Sequence, residues 1–412
     1  MSTINATTAT DARILRGEVI AETADLIQSG DEWLVPSQSG DTSYRVNPAT
    51  QSCTCADFRF RRMVCKHLHA VEMTLRRETA PDGTVTETKT VRVVSQSWHA
   101  YNEAQTTEKE RFFVLLRDLC ETIPQPPQVT GRPRLSLSDM VFATTYKVYS
   151  GFSSRRFTTD IRSAEDTGLI SHAPHFNSVT NYMADPELTP LLKDLIEVSA
   201  SPLKAVEADF AVDSTGFATT TYDRWYDVKW GKMKSRQTWV KAHIMCGVLT
   251  NIVTSVEATP TESNDAPQLP TLLKRTAATF SVRELSADKA YSTKRNLHAV
   301  DDVGGRAYIP FKSNATGRAI AKVRYDSLWE RAWHFYHFNR SEFLEHYTKR
   351  NNAETTMSMI KAKFGGSVKS KSPVAQVNEV LCKVLAHNIC VLISSFYELG
   401  IEATFCPTGT AD

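Results

Sequence analysis

Residues 347–361 read Y-T-K-R-N-N-A-E-T-T-M-S-M-I-K. Tyr347, Arg350, Glu354 and Lys361 follow one another at steps of three, four and seven. That spacing predicts one α-helix carrying a phenol, a guanidinium, a carboxylate and an ammonium on a single face. A carboxylate flanked by cations suits a salt-bridged surface, because Arg/Glu pairs four apart support exposed helices. It equally suits a site that handles metal and phosphate. Two carboxylates earlier in the chain favour the second reading.

D-F-A-V-D (Asp209–Asp213) reads as a strand that ends at Asp213 or runs briefly past it. Trp239–Val248 and Ile252–Ala258 read as two more strands about Leu249-Thr250-Asn251, completing an antiparallel meander. Asn264 or Asp265 is a natural N-cap for a helix over Ala266–Thr276. V-R-E-L-S-A-D-K-A-Y then gives a short buried strand with Asp288 just past its end, followed by helix Ser292–Val300 and strand Arg306–Phe311. The order β-β-β-α-β-α-β-α predicts an α/β fold, a mixed sheet with flanking helices. With the first and fourth strands side by side, Asp213 and Asp288 meet at one edge of the sheet, 288 − 213 = 75 residues apart. Glu354 arrives on its helix 354 − 288 = 66 residues later. Three converging carboxylates repel one another unless divalent cations bind between them. Oxygen-only ligands suit Mg²⁺ or Mn²⁺. Two such ions activate a water or a 3′-hydroxyl and stabilise the leaving oxygen of a phosphodiester. Trp329–Phe338 reads as an aromatic helix packed on the core, with base stacking as the alternative. Val374–Leu399 is a long apolar-striped helix ending at Gly400, expected to lie across the sheet as its closing element.

Three motifs, V-D-S-T-G at Asp213, A-D-K-A-Y at Asp288 and Y-x₂-R-x₃-E-x₆-K from Tyr347 to Lys361, together resemble the DDE transposases of prokaryotic insertion sequences. G-R-P-R-L-S-L-S-D-M through V-Y-S-G-F-S-S-R-R-F resembles the N-terminal region of such enzymes, so the similarity spans about residues 130–400. The resemblance implies an RNase H-like core with Asp213, Asp288 and Glu354 as a catalytic triad holding two Mg²⁺ (or Mn²⁺) ions. It implies that Tyr347, Arg350 and Lys361 hold transposon-end DNA beside them. The implied activity is metal-dependent cleavage at transposon ends and strand transfer into target DNA, with no nucleotide cofactor. The implied partners are double-stranded DNA, both ends and target, and a second copy of the chain in a synaptic homodimer. Two other readings fit the same residues: an inactive transposase-derived DNA-binding protein, and a structure-selective nuclease.

The N-terminal part carries a different chemistry. Residues 11–29 read as an amphipathic helix stopped by Gly30, and Glu32–Val35 and Ser43–Asn47 as strands around Ser39-Gly40-Asp41. Then comes C-T-C-A-D-F-R-F-R-R-M-V-C-K-H. Cys53, Cys55, Cys65 and His67 form the thiolate and imidazole set of one tetrahedral structural Zn²⁺, with His69 as a rival fourth ligand. A module this small has little core of its own, so the metal supplies folding energy. The C-x-C-x₉-C-x-H pattern resembles the SWIM zinc finger over about residues 31–75, a module associated with DNA or protein binding. In transposases that carry such a finger it follows the catalytic core, whereas here it precedes it.

Residues 76–97 read as a linker with a hairpin over Thr84–Val94, and a helix follows from Ser97 to Thr122, ended by Pro124, Pro126 and Pro127. Helices Leu137–Tyr149, Ser154–Glu165 and Asn177–Met183 suit an all-α helix-turn-helix-like unit, with Asn177, Ser178, Thr180 and Asn181 placed for base edges or phosphates. A plain helical packing domain is the alternative. A further helix, Leu188–Ser199, leads into the core. The expected division is 1–75 (helix and zinc module), 76–130 (linker and helix), 131–205 (helical DNA-binding region) and 206–402 (catalytic domain).

The net charge of +2 excludes a globally basic nucleic-acid binder. Local clusters remain: Arg59, Arg61, Arg62 and Lys66; Lys229, Lys232, Lys234, Arg236 and Lys241; Lys361, Lys363, Lys369 and Lys371. Three of the eight cysteines crowd between Cys53 and Cys65 and five are scattered, which fits metal binding plus buried thiols in a reducing compartment. No apolar run of membrane length and no basic-plus-apolar leader pattern is read, so the expectation is a cytoplasmic, nucleoid-associated protein with no membrane partner.

Overall fold

Phe210, Ala211 and Val212 are consecutive apolar residues, so the strand they form buries both of its faces. Phe210 and Val212 enter one hydrophobic cluster, Ala211 and Phe217 the other. In the computed structural model of the protein, the residues described are 16–17, 19–21, 24, 26–29, 32–37, 43–61, 64–71, 98–128, 130–131, 134–219, 239–316 and 327–406. They fall into two compact units, Met1–Gln96 and Ser97–Asp412.

The first unit holds a four-stranded antiparallel sheet, β1 (Ile27–Ser29), β2 (Glu32–Pro36), β3 (Ser43–Asn47) and β4 (Ser52–Cys53), in sequential order. Helix α1 (Ala56–Arg61) and helical residues 66–71 follow. Trp33, Val35, Val46, Leu68 and Val71 form the core together with the buried cysteines Cys53, Cys55 and Cys65. The helix expected over residues 11–29 is overturned at its end. Residues 19–21 are helical, but Ile27–Ser29 pair with β2, where a strand partner overrides helical periodicity. The Thr84–Val94 hairpin and the end of the helix expected through Leu75 lie outside the described residues, as do Arg62, Lys229, Lys232, Lys234 and Arg236.

In the second unit α2 (Trp98–Glu121), α3 (Leu137–Ser150), α4 (Phe157–Asp166), α5 (Phe176–Met183) and α6 (Leu188–Ala200) precede the sheet. Its strands are β5 (Asp209–Ala218), β6 (Trp239–Gly247), β7 (Val253–Pro260), β8 (Glu284–Ala287) and β9 (Arg306–Tyr308). Their order is β7-β6-β5-β8-β9. The meander is antiparallel, and β5–β8 and β8–β9 are parallel. Helices α7 (Leu269–Ala277) and α8 (Lys294–Asp302) make the crossovers. After β9 come α9 (Ser327–Phe338), α10 (Arg340–Tyr347), a 3₁₀ turn at Thr348–Arg350, α11 (Asn351–Phe364) and α12 (Pro373–Leu399).

The mixed α/β fold matches the expectation, with five local corrections. β5 runs to Ala218, well past Asp213, because it stays paired with β6 to Trp239. β9 stops at Tyr308, two residues before Pro310, whose missing N–H cannot join a ladder. Asp265 makes no cap bond and instead pairs with Lys241 at 2.6 Å; the expected helix starts as a 3₁₀ turn at Ala266–Gln268. The Tyr347–Lys361 stretch is helical but broken by the Thr348–Arg350 turn. The fifth correction concerns α12, which does not lid the sheet. Seventeen of its residues are buried, and it packs against α2, α3 and α6 as well as β6 and β7. By length and composition α12 could cross a membrane, yet 78% of its most apolar window is buried inside the protein. One hydrophobic cluster runs from Phe112 and Val141 through Ile244 to Leu385, so helices α2–α6 and the sheet share a core. The aromatic helix α9 lays Trp329, Trp333 and Tyr336 against the other cluster.

Candidate active site and metal centre

Val212 of β5 pairs with Ala287 of β8 in a parallel register, so the next residue on each chain is a carboxylate: Asp213 and Asp288. They lie on strands about 4.8 Å apart. β5 is the middle strand of five, so the two meet at the centre of the sheet rather than at an edge as expected. The register explains why: a parallel crossover inserts β8 beside β5, and β9 then takes the outer position. Asp288 closes β8 as the N-cap of a 3₁₀ turn, Lys289–Tyr291, and accepts the Lys289 N–H. Asp213 accepts the Ser214 N–H at 2.8 Å.

Arg350 joins the strand to the helix. Its Nη1 donates to Asp213 Oδ2 at 3.0 Å, and its Nη2 donates to Glu354 Oε1. Glu354 sits in the first turn of α11. Burial raises the Asp213 carboxyl above its ordinary range; Ser214 and Arg350 pull it back, while the Asp288 and Glu354 charges push it up. Burial also raises the Tyr347 phenol, and Asp288, Asp213 and Glu354 add to that against the pull of Arg350, so it remains a proton donor. Asp213, Asp288, Glu354, Tyr347 and Arg350 therefore share one electrostatic neighbourhood. Lys361 does not sit among them. Its ammonium lies 5.5 Å from the Phe217 ring centre, with that of Lys383 at 5.3 Å from the same ring. Phe217 is four residues, about 13 Å, beyond Asp213 on the same strand face. Burial lowers the Lys361 ammonium.

Among the described residues, the three carboxylates are not a group whose ligand atoms all fall within 4.8 Å of one another. The Arg350 guanidinium stands between two of them instead. The donor set nevertheless fits Mg²⁺ or Mn²⁺: oxygen ligands from two strands and a helix, with burial penalising the negative charge of Asp213.

Three side chains escaped sequence reasoning. Lys349 Nζ reaches Asp209 at 2.7 Å and Glu284 at 2.6 Å. Burial opposes its charge, but these two carboxylates more than offset that and raise it. Helical spacing concealed this role, because the 3₁₀ turn sends Lys349 and Arg350 to different strand positions. Tyr291 is fully buried with its hydroxyl unpartnered. Its place three residues after Asp288, one 3₁₀ turn on, was the available signal. Lys383 is buried in mid-helix and donates to Gly365 O at 2.8 Å and Ser367 O at 2.7 Å. No local pattern indicated it.

In the first unit, the Cys53, Cys55 and Cys65 sulfurs and a His67 ring nitrogen lie within 4.8 Å of one another, all four residues buried. His67 Nδ1 is 3.8 Å from Cys53 Sγ and 4.0 Å from Cys65 Sγ. Tetrahedral zinc with Zn–S bonds of about 2.3 Å separates its ligands by roughly 3.7 Å, so the four donors fit. The Cys55 N–H donates to Cys53 Sγ at 3.4 Å and the Phe58 N–H to Cys55 Sγ at 3.4 Å, contacts that favour thiolates. Hydrogen bonding from Cys53 draws the Cys65 thiol down to about 4, while the same pairing and burial push Cys53 up. His69, the rival ligand, stands outside the group. A second cluster, Asp118, Glu121 and Cys406, is already used: Asp118 accepts the Phe405 and Cys406 N–H groups, and Glu121 pairs with Arg117.

Residues 205–389, from just before β5 into α12, match the family model described as "Transposase DDE domain". The matched stretch includes Asp213, Asp288 and Glu354. Among solved structures, a piggyBac transposase synaptic complex with hairpin DNA is similar at a TM-score of 0.35 and 10% identity, over 77% of this chain and 79% of that one. That likeness is too loose to carry weight.

Proposed function

We propose that the chain is a DDE transposase that cleaves DNA at transposon ends and joins the freed end to target DNA. The observation that carries this reading is the register that sets Asp213 beside Asp288, with Glu354 tied to Asp213 through Arg350. Asp213, Asp288 and Glu354 would hold Mg²⁺ or Mn²⁺, which supplies a more acidic bound water and charge stabilisation at the leaving oxygen. The residues do the rest. Asp213 and Asp288 fix one side of the site from rigid strands, and Glu354 approaches from the helix. Arg350 offers a planar fork to a phosphate oxygen, and the protonated Tyr347 offers a hydroxyl donor. In the first step a water oxygen bonds to phosphorus, the P–O3′ bond breaks, and the 3′ oxygen takes up a proton. In the second step that 3′-hydroxyl loses its proton and bonds to a target phosphorus, releasing a target 3′-oxygen. No covalent protein–DNA intermediate is required. The insertion-sequence branch, a synaptic homodimer and a nucleoid location in the cytoplasm belong to the same reading. So does a structural zinc in a SWIM-like module.

A labelled transposon end incubated with the purified chain and Mg²⁺ tests the proposal. Cleavage followed by strand transfer is expected; cleavage alone points to the nuclease, and binding alone to the inactive derivative. Asp213→Asn and Glu354→Gln should each abolish cleavage while DNA is still bound. Full cleavage by either variant overturns the site assignment.

A further inference from the structure

The loop between α11 and α12, residues 365–372, is held from below with unusual thoroughness for a surface segment. Glu379 and Lys383, one turn apart on α12, are both buried. Glu379 accepts the Lys369 N–H at 3.0 Å and the Ser370 N–H at 2.8 Å. Lys383 donates to the Gly365 and Ser367 carbonyls. A buried charge is tolerated only when paired and hydrogen-bonded, and here both charges are satisfied by the loop backbone. The loop also extends the catalytic strand: Ala218 N donates to Gly366 O at 3.0 Å and Val368 N to Ala218 O at 2.9 Å. From the side, Lys369 Nζ donates to Gly151 O, the left-handed residue that ends α3 and opens the turn into α4.

This construction brings two exposed cationic segments together. One is Lys369 and Lys371; the other is Arg155 and Arg156, just beyond Gly151. No carboxylate pairs with any of the four among the described residues. Lys363 of the same sequence cluster is different, because it turns to Glu108 and is neutralised there. Lys361 lies between the loop and the carboxylates, over Phe217.

We propose that Lys369, Lys371, Arg155 and Arg156 form a phosphate track, a strip that carries the backbone of duplex DNA away from the carboxylates past Lys361. The strip is sequence-independent, since it offers charge without base-reading geometry. A loop pinned by buried charges fixes the backbone positions from which Lys369 and Lys371 extend, so little backbone ordering entropy is lost on binding. The Lys369 ammonium keeps two N–H groups for a phosphate beyond its bond to Gly151. This proposal rests on the reading of the chain as a DNA-processing protein.

The test is salt-dependent binding of the full chain to a labelled random-sequence duplex, with EDTA present so that nothing is cleaved. Each phosphate contact contributes about 0.9 to the steepness of log Kobs against log salt. Lys369→Ala with Lys371→Ala should flatten the slope by about 1.8, and Arg155→Ala with Arg156→Ala by a similar amount. Lys363→Ala should leave it unchanged, because its charge is spent on Glu108. The arginine pair keeps the test decisive should the loop loosen on loss of Lys369. A wild type that binds duplex while both double variants keep its slope and affinity overturns the track and leaves the transposase reading standing. A wild type that binds no duplex at all overturns both.

Discussion

Replacing Arg350 with methionine tests how the carboxylates are held before metal and DNA arrive. The guanidinium occupies the place between Asp213 and Glu354, so a divalent cation held by both, as proposed, would first have to displace it. The Asp213 and Arg350 side chains are 19% and 17% exposed, so that contact is largely sheltered from water. A charge-assisted hydrogen bond of this kind contributes about 1.5–3 kcal/mol. The Glu354 contact adds little, since that side chain is 56% exposed and its charge is screened. Without the guanidinium, metal binding no longer breaks the Asp213 bond. The Mg²⁺ or Mn²⁺ dissociation constant should fall by about 10- to 100-fold, at 1.4 kcal/mol per decade. Calorimetric titration of the DNA-free protein measures this. The same variant should be less stable in EDTA by about 1–3 kcal/mol, because Asp213 is left partly buried beside two like charges. Metal affinity that is unchanged or weaker in Arg350→Met refutes the view that the guanidinium stands in for the cation. Catalysis should be lost in either case, which is why binding is the informative measurement.

Two further predictions concern acid and zinc. Burial lowers His243 and His387 from 6.5 to about 4 each, so both are neutral when folded. Unfolded chains take up these protons first, so stability is full above pH 6.5 and falls as pH drops toward 4. Unfolding free energy should decline with a slope approaching two protons across that window; His387→Gln should remove about one of them, and an unchanged slope would contradict the buried neutral imidazole. The purified chain should contain one zinc, lost on Cys53→Ser with Cys55→Ser by metal analysis. Chelation should unfold residues 26–71 while leaving the second unit's unfolding transition in place. A metal-free wild type with the first unit folded would refute the zinc assignment.

The sequence was most readable where local pattern and tertiary context agreed. The meander, the order of crossovers and the place of Asp288 after β8 all follow from alternation and turn residues, and each is local. The helical setting of Glu354 followed from local spacing. What escaped notice depends on distant partners. Ile27–Ser29 become a strand only because β2 lies alongside. The 3₁₀ turn at Thr348–Arg350 is set by what Lys349 and Arg350 must reach, Asp209 and Glu284 in one case and Asp213 in the other. The central position of α12 could not be told from its apolar stripe, since a lid and a core helix share that pattern. The Glu379–Lys383 pair on it looks like an ordinary surface ion pair in sequence, yet both residues are buried against the loop backbone.

The central helix α12 has a consequence for the making of the protein. It contributes to both hydrophobic clusters, through Leu381, Leu385 and Ile389 to one and through Val391 and Leu392 to the other. Yet it is synthesised after every strand and helix that it joins. A ribosome that has released all five strands of the sheet has still not supplied the element between them and the helical layer. Until residues 373–399 emerge, α6 packs on β7, but the apolar faces that α12 covers on α2, α3 and the sheet stay open to other chains. Nascent chains of this protein are therefore expected to depend on chaperones, and messages broken before α12 to yield aggregates rather than partly folded protein.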